Sequence, residues 1–112
     1  MPPVARLGPS RDAILRSTVA TPSMLTREVT VRNRAGVHTR PASMIVREAS
    51  RFASEFFIRK DGYEINGKSI IGVMTLAAEQ GSTLELVFDG DDETAAADAL
   101  AELFEQGFGE TV

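Results

Sequence analysis

This 112-residue chain has a single imidazole, His38, within Gly36-Val37-His38-Thr39-Arg40-Pro41-Ala42. Cysteine is absent, which excludes disulfides, thiolate metal sites, iron–sulfur clusters and cysteine nucleophiles. One histidine likewise excludes a multi-histidine metal cage. Any imidazole chemistry must therefore pass through His38. A ring nitrogen followed two residues later by a guanidinium is suited to phosphoryl groups, because the nitrogen is a nucleophile and the guanidinium can fork onto two phosphoryl oxygens. Pro41 fits the first turn of a helix, where its missing N–H costs nothing. That places His38 at a helix entry, beside the unpaired N–H groups of Thr39 and Arg40 and the positive end of the macrodipole. An anion there is stabilised by about 0.3 to 1 kcal/mol from the dipole alone. On these residues by themselves a plainer arrangement stays open, a histidine that only caps the helix beside a solvated arginine.

A second cluster, Gly62-Tyr63-Glu64-Ile65-Asn66-Gly67-Lys68-Ser69, spells the phosphate-loop pattern G-x-x-x-x-G-K-[ST], and Leu84 to Asp89 looks like the apolar strand whose Asp would hold magnesium. The letters match but the context does not. Tyr63-Glu64-Ile65 is β-prone, and the chain is too short for the doubly covered parallel sheet that such a loop needs. Ser69 is instead expected to cap a short helix. Phosphorylation there would add about −1.5 to −2 charge beside Ile70, Ile71 and Met74, altering docking without unfolding the domain. Those three side chains also fit a plain core.

The elements that must position these groups follow from periodicity. Val29 and Val31 alternate with polar neighbours as a strand. From Pro41 the apolar residues Ala42, Ile45, Val46, Ala49, Phe52 and Ala53 recur at helical spacing. Phe56 and Ile58 alternate as a second strand, Asp61-Gly62 suits a tight hairpin turn, and Tyr63 to Ile65 return. A short helix follows Ser69, Leu84, Leu86 and Phe88 alternate as a fourth strand, and a last helix buries Ala96, Leu100, Leu103 and Phe104. The order βαββαβα in about 87 residues predicts an α+β fold in which the helices cover one face of a four-stranded sheet and the other face meets water.

Four of the five prolines, with Arg6, Arg11 and Arg16, fall in residues 1–25, which show no sustained apolar period. These residues are expected to form a disordered N-terminal extension, with the domain occupying 26–112. No stretch reaches the roughly 20 apolar residues of a membrane span, and there is no signal-peptide core, so a cytoplasmic protein without membrane insertion is expected. Asp12 and the prolines count against a transit peptide, and Met24 is an alternative start. Within the domain, residues 26–68 hold nine basic and five acidic side chains, a net +4, whereas residues 69–112 hold ten acids and no base, a net −10. This two-sided charge suits acidic or phosphorylated partners around His38 and argues against nucleic acid.

The segments GVHTRPA and NGKSIIGVM, some thirty residues apart, closely resemble the motifs of the histidine-containing phosphocarrier (HPr) family of the bacterial phosphoenolpyruvate-dependent sugar phosphotransferase system. The resemblance covers about residues 26 to 106. It implies an open-faced sandwich with an antiparallel sheet and helices on one side, which agrees with the order above. It also implies a phosphoryl-carrying co-substrate rather than an enzyme, with no cofactor or metal. His38 matches the histidine phosphorylated on Nδ1 by enzyme I and discharged to enzyme IIA domains. Arg40 matches the arginine that assists transfer, and Ser69 the serine modified by an ATP-dependent HPr kinase/phosphorylase. Thr39, Ile70, Ile71 and Met74 match partner-docking positions, and a monomer is expected. Val37 departs from the usual Leu, and neither the extension nor the base-free second half is a family hallmark. The presence of His38 disfavours the histidine-less paralogues that only regulate transcription, while a nitrogen-related carrier and a non-catalytic interaction module remain the alternatives.

Overall fold

Alternation of apolar and polar residues in four short segments, and helical spacing in three others, produce the expected order in the computed structural model, which describes residues 24–112. The proposed extension lies outside these residues except for Met24 and Leu25. The elements are β1 (Leu25–Thr30), α1 (Thr39–Ala49), β2 (Glu55–Lys60), β3 (Tyr63–Asn66), α2 (Ile70–Thr75), β4 (Thr83–Asp89) and α3 (Glu93–Glu105), followed by a 3₁₀ turn at Gly107–Gly109. The strands form one antiparallel sheet in the order β1-β4-β2-β3. Helix α3 packs on β1 and β4, and α1 packs on α3 and α2, so the three helices share one face.

Inward-facing residues explain the register. Leu84, Leu86 and Phe88 of β4 are buried, as are Phe56 and Ile58 of β2. Phe56 lies directly opposite Phe88, and their rings stack with centroids 4.7 Å apart. Burial of each such side chain contributes about 1.5 to 3 kcal/mol. The Asp61-Gly62 turn has positive φ at both residues, 51° and 85°, as a two-residue hairpin requires. Tyr63 to Asn66 then pair with β2, so the phosphate-loop letters are used on a strand. The Lys68 ammonium donates to the Phe52 carbonyl at 2.8 Å rather than facing a loop of N–H groups.

Two helical stripes differ from the sequence expectation. Helix α1 ends at Ala49, where the Ser50, Arg51 and Phe52 amides return to carbonyls of the last turn, so Phe52 and Ala53 fall beyond it. In α3 the buried residues are Ala96, Ala97, Leu100 and Phe104, while Leu103 is half-buried at the edge of the stripe. The acids expected at the start of α3 do more than complement its dipole. The Asp92 carboxylate accepts from the Ala53 and Ser54 amides at 2.8 and 2.9 Å and from the Ser54 hydroxyl, tying α3 to the entry of β2. The Ser54 hydroxyl and the Ala53 amide hold the Asp92 carboxyl below its ordinary 3.8. Leu100→Ala should lower unfolding free energy by about 2 to 5 kcal/mol and Leu103→Ala by clearly less, as urea denaturation would show; equal losses would contradict the placement of the stripe.

Candidate functional site

The sharp entry to α1 is made by Gly36, whose φ of 74° and whose approach to Ala78 exclude a side chain: a Cβ there would sit 2.6 Å from the Ala78 carbonyl oxygen. That carbonyl accepts from the Val37 amide at 2.9 Å, and Val37 is buried, so the chain is pinned one residue before the histidine. His38 is the N-cap residue of α1 in extended conformation, but its ring makes no capping hydrogen bond. The histidine-as-cap arrangement is thus not adopted. With the ring turned away, the first-turn N–H groups of Thr39 and Arg40 have no partner within the helix.

The ring instead meets a carboxylate from the end of the domain. His38 Nε2 lies 3.0 Å from Glu110 Oε1 and 2.9 Å from Oε2. The Arg40 guanidinium donates through Nη1 to Glu110 Oε2 at 2.8 Å and to the Phe108 carbonyl at 3.1 Å. Asn33 Nδ2 donates to Glu110 Oε1 at 2.9 Å and to the Gly36 carbonyl at 2.7 Å. Glu110 is the most enclosed of the three charged groups, with 18% of its side chain exposed against 43% for His38 and 54% for Arg40. The His38 hydrogen bond, with those of Asn33 and Arg40, holds the Glu110 carboxyl below its ordinary 4.5 against the opposing effect of burial.

An ionised carboxylate only accepts hydrogen bonds. Glu110 therefore places the ring proton on Nε2, and a neutral imidazole in that tautomer has its lone pair on Nδ1. Glu110 reaches the ring because Phe108 is buried in the core, edge-to-face with Phe104 at 5.0 Å. Phe108 adopts a φ of 57° that only strong packing sustains in a non-glycine residue.

Of the residues singled out in the sequence, the structure brings His38 and Arg40 together on Glu110, and it adds Asn33, Phe108 and Glu110, which the sequence reading did not include. Asn33 reads as a loop residue and is fully buried. The Gly107-Phe108-Gly109 sequence was the available signal for a return of the chain after α3. The other candidates lie on α2. The Ser69 hydroxyl accepts from the Gly72 amide at 3.0 Å, the expected cap. Ile70, Ile71 and Met74 are 39%, 75% and 41% exposed, so they form a surface patch, whereas Val73 between them is core. The hydrogen bonds described around His38 do not extend to α2, although α1 and α2 pack together. Among the described residues no cluster of His, Cys, Asp and Glu has the arrangement of a metal site.

Residues 25–106 match the family described as the PTS HPr component phosphorylation site. The chain is 52% identical to the phosphocarrier protein HPr of Treponema pallidum over 87 residues, covering 78% of this chain and 99% of that one. It is 46% identical to the HPr-like protein Crh of Halalkalibacterium halodurans over 83 residues, covering 74% of this chain and 99% of that one. Among solved structures, HPr from Thermoanaerobacter tengcongensis superposes with a TM-score of 0.75 at 40% identity, covering 79% of this chain and 99% of that one.

Glu110→Gln should release the ring from its single tautomer, because an amide can donate as well as accept. Imidazole ¹⁵N shifts at neutral pH are expected to report an Nε2–H ring in the parent and a mixture in the variant. Because the Glu110 carboxyl is depressed in the folded state, its stabilising effect is present above pH 4.5 and lost as pH falls through the lower folded value. The variant should accordingly lack part of the acid-induced loss of stability.

Proposed function

This chain belongs to the family of HPr components of the phosphotransferase system, and from that membership we propose that it relays a phosphoryl group through His38, from phospho-enzyme I to enzyme IIA domains. The observation that carries the reading is the carboxylate clamp on Nε2, which supports Nδ1 as the nucleophile. In transfer, the Nδ1 lone pair forms a bond to phosphorus while the donor's bond to phosphorus breaks and the donor keeps that electron pair. The ring becomes an Nε2-protonated, Nδ1-phosphorylated imidazolium, and Glu110 stabilises its new positive charge. The phosphoryl oxygens fall to the unpaired amides of Thr39 and Arg40 and to the guanidinium of Arg40, which uses only Nη1 in its bonds to Glu110 and Phe108. Discharge runs the same steps in reverse onto the acceptor. The protein acts as a co-substrate and has no cofactor of its own.

Ser69 is proposed as the site of an ATP-dependent HPr kinase/phosphorylase, and Thr39, Ile70, Ile71 and Met74 as docking positions for the phosphotransferase partners. A phosphate on Ser69 would keep an acceptor at the start of α2 while placing an anion against the apolar patch, so docking changes with little change in fold. A cytoplasmic monomer fits these partners; no helix among the described residues is long and apolar enough to cross a membrane. The similarity to a Crh protein makes a non-catalytic regulatory module the second reading, and a nitrogen-related carrier would use the same chemistry at His38.

Incubation with phosphoenolpyruvate and enzyme I is expected to give an acid-labile, alkali-stable phosphate that is lost to background in His38→Ala. Labelling that persists in that variant excludes His38 as the carrier, and failure of the parent to label favours the regulatory module. Arg40→Ala should slow transfer by about 10²-fold, the usual effect of removing one group that stabilises developing charge. A separate acid-stable label from ATP and the kinase should vanish in Ser69→Ala.

A further inference from the structure

Asn33 is a fully buried polar side chain in the loop between β1 and α1, and the transfer steps proposed for His38 make no use of it. Its Nδ2 carries two hydrogens and uses both. One goes to the Gly36 carbonyl at 2.7 Å and the other to Glu110 Oε1 at 2.9 Å. A single buried amide nitrogen therefore links the turn that delivers His38 to the carboxylate that meets its ring. The two acceptors also fix which way the amide points. With its ends exchanged, Oδ1 would face a carbonyl and a carboxylate, neither of which donates.

The same orientation leaves Oδ1 buried with no hydrogen-bond partner among the described residues. An unsatisfied buried acceptor is destabilising, so a side chain serving only to fill the loop has no reason to be an amide. A hydroxyl has one hydrogen and an ionised acid has none. Among side chains of this size only an amide supplies two donors from one atom. The position accepts the lost stability and gains two donors aimed at the His38 site.

The rest of the loop grips the same stretch of returning chain. The Arg34 amide donates to the Thr111 carbonyl at 2.7 Å, and the Gly36 amide closes the turn on the Asn33 carbonyl at 3.1 Å. Gly107, at a φ of 60°, lies against Asn33, where a Cβ would be 3.7 Å from the Asn33 Cβ. Arg40 also donates to Glu110, but it is 54% exposed and in the proposed transfer it is shared with the phosphoryl oxygens. Asn33 is the buried donor that stays on Glu110 throughout.

We propose that Asn33 is a positioning residue for phosphoryl transfer: through Nδ2 it sets the Glu110 carboxylate against His38 Nε2 and so keeps Nδ1 free to attack. Its effect on the rate rests on the phosphocarrier reading, whereas its control of the ring does not.

Asn33→Ala removes both donors. At neutral pH its imidazole ¹⁵N spectrum should move from the Nε2–H ring toward a mixture, as in Glu110→Gln. With phospho-enzyme I as donor, kcat for acceptance should fall about 10-fold while KM, set by the docking surface, stays within about twofold. The double variant separates positioning from a general loss of structure. Added to Glu110→Gln, Asn33→Ala should change neither the ring signals nor kcat further, because it acts through that carboxylate. Leu100→Ala, which weakens the core away from the site, should keep the parent ring and the parent kcat at a temperature where it is folded. If Asn33→Ala does not fold, Asn33→Leu takes its place, since it keeps the branched shape and has no donor. A parent-like ring in the folded variant overturns the proposal, as does a loss of kcat that persists undiminished in the Glu110→Gln background. If the unaltered chain takes no phosphate from phospho-enzyme I, the phosphocarrier reading fails, and the ring signals alone then uphold or overturn the hold of Asn33 on Glu110.

Discussion

A carboxylate that can only accept hydrogen bonds decides which nitrogen of the His38 ring carries the proton. Glu110 holds both oxygens against Nε2, so the proton has one place to be and the lone pair another. The same carboxylate takes the Arg40 and Asn33 donors, Arg40 through Nη1 alone. An imidazole at a helix entry is common and by itself uninformative; a carboxylate fixed behind the ring makes its two nitrogens inequivalent. That carboxylate is also held on one side of the ring only, leaving the opposite nitrogen clear of it.

The fold exists to hold that arrangement still. Gly36 and the buried Val37 fix the approach to α1, and Phe108 fixes the approach of Glu110 from the other end of the chain. Between them stands a sheet covered on one side only. One-sided coverage is what a domain of this length can build, and it leaves α2 at the surface with Ile70, Ile71 and Met74 exposed while Val73 anchors the helix in the core. An exposed apolar patch and an anchored helix are thus obtained from neighbouring positions of six residues.

Much of this was legible in the sequence because it is written in local patterns. The alternation in β2 and β4, the Asp61-Gly62 turn and the Ser69 cap each follow from neighbours a few residues apart. Errors arose where tertiary packing chooses between similar side chains. Leu103 and Phe104 are both apolar and adjacent, and only the helix's rotation against the sheet selects Phe104 for burial. Helix α1 ends before Phe52 because the backbone turns through Ser50 and Arg51, an event that apolar spacing does not reveal. Half of the His38 site was invisible for the same reason: Asn33 and Glu110 are ordinary polar residues until the fold brings them together.

The contact between Asn33 and Glu110 spans 77 residues of sequence, and that between His38 and Glu110 spans 72. A ribosome releases His38 and Arg40 long before it has made the carboxylate that orders them, and loop closure over such a separation belongs late in folding. A nascent or C-terminally clipped chain would therefore display the histidine with its tautomer unassigned. Completion of synthesis and the fixing of the ring proton are thus coupled in a single hydrogen-bonded contact.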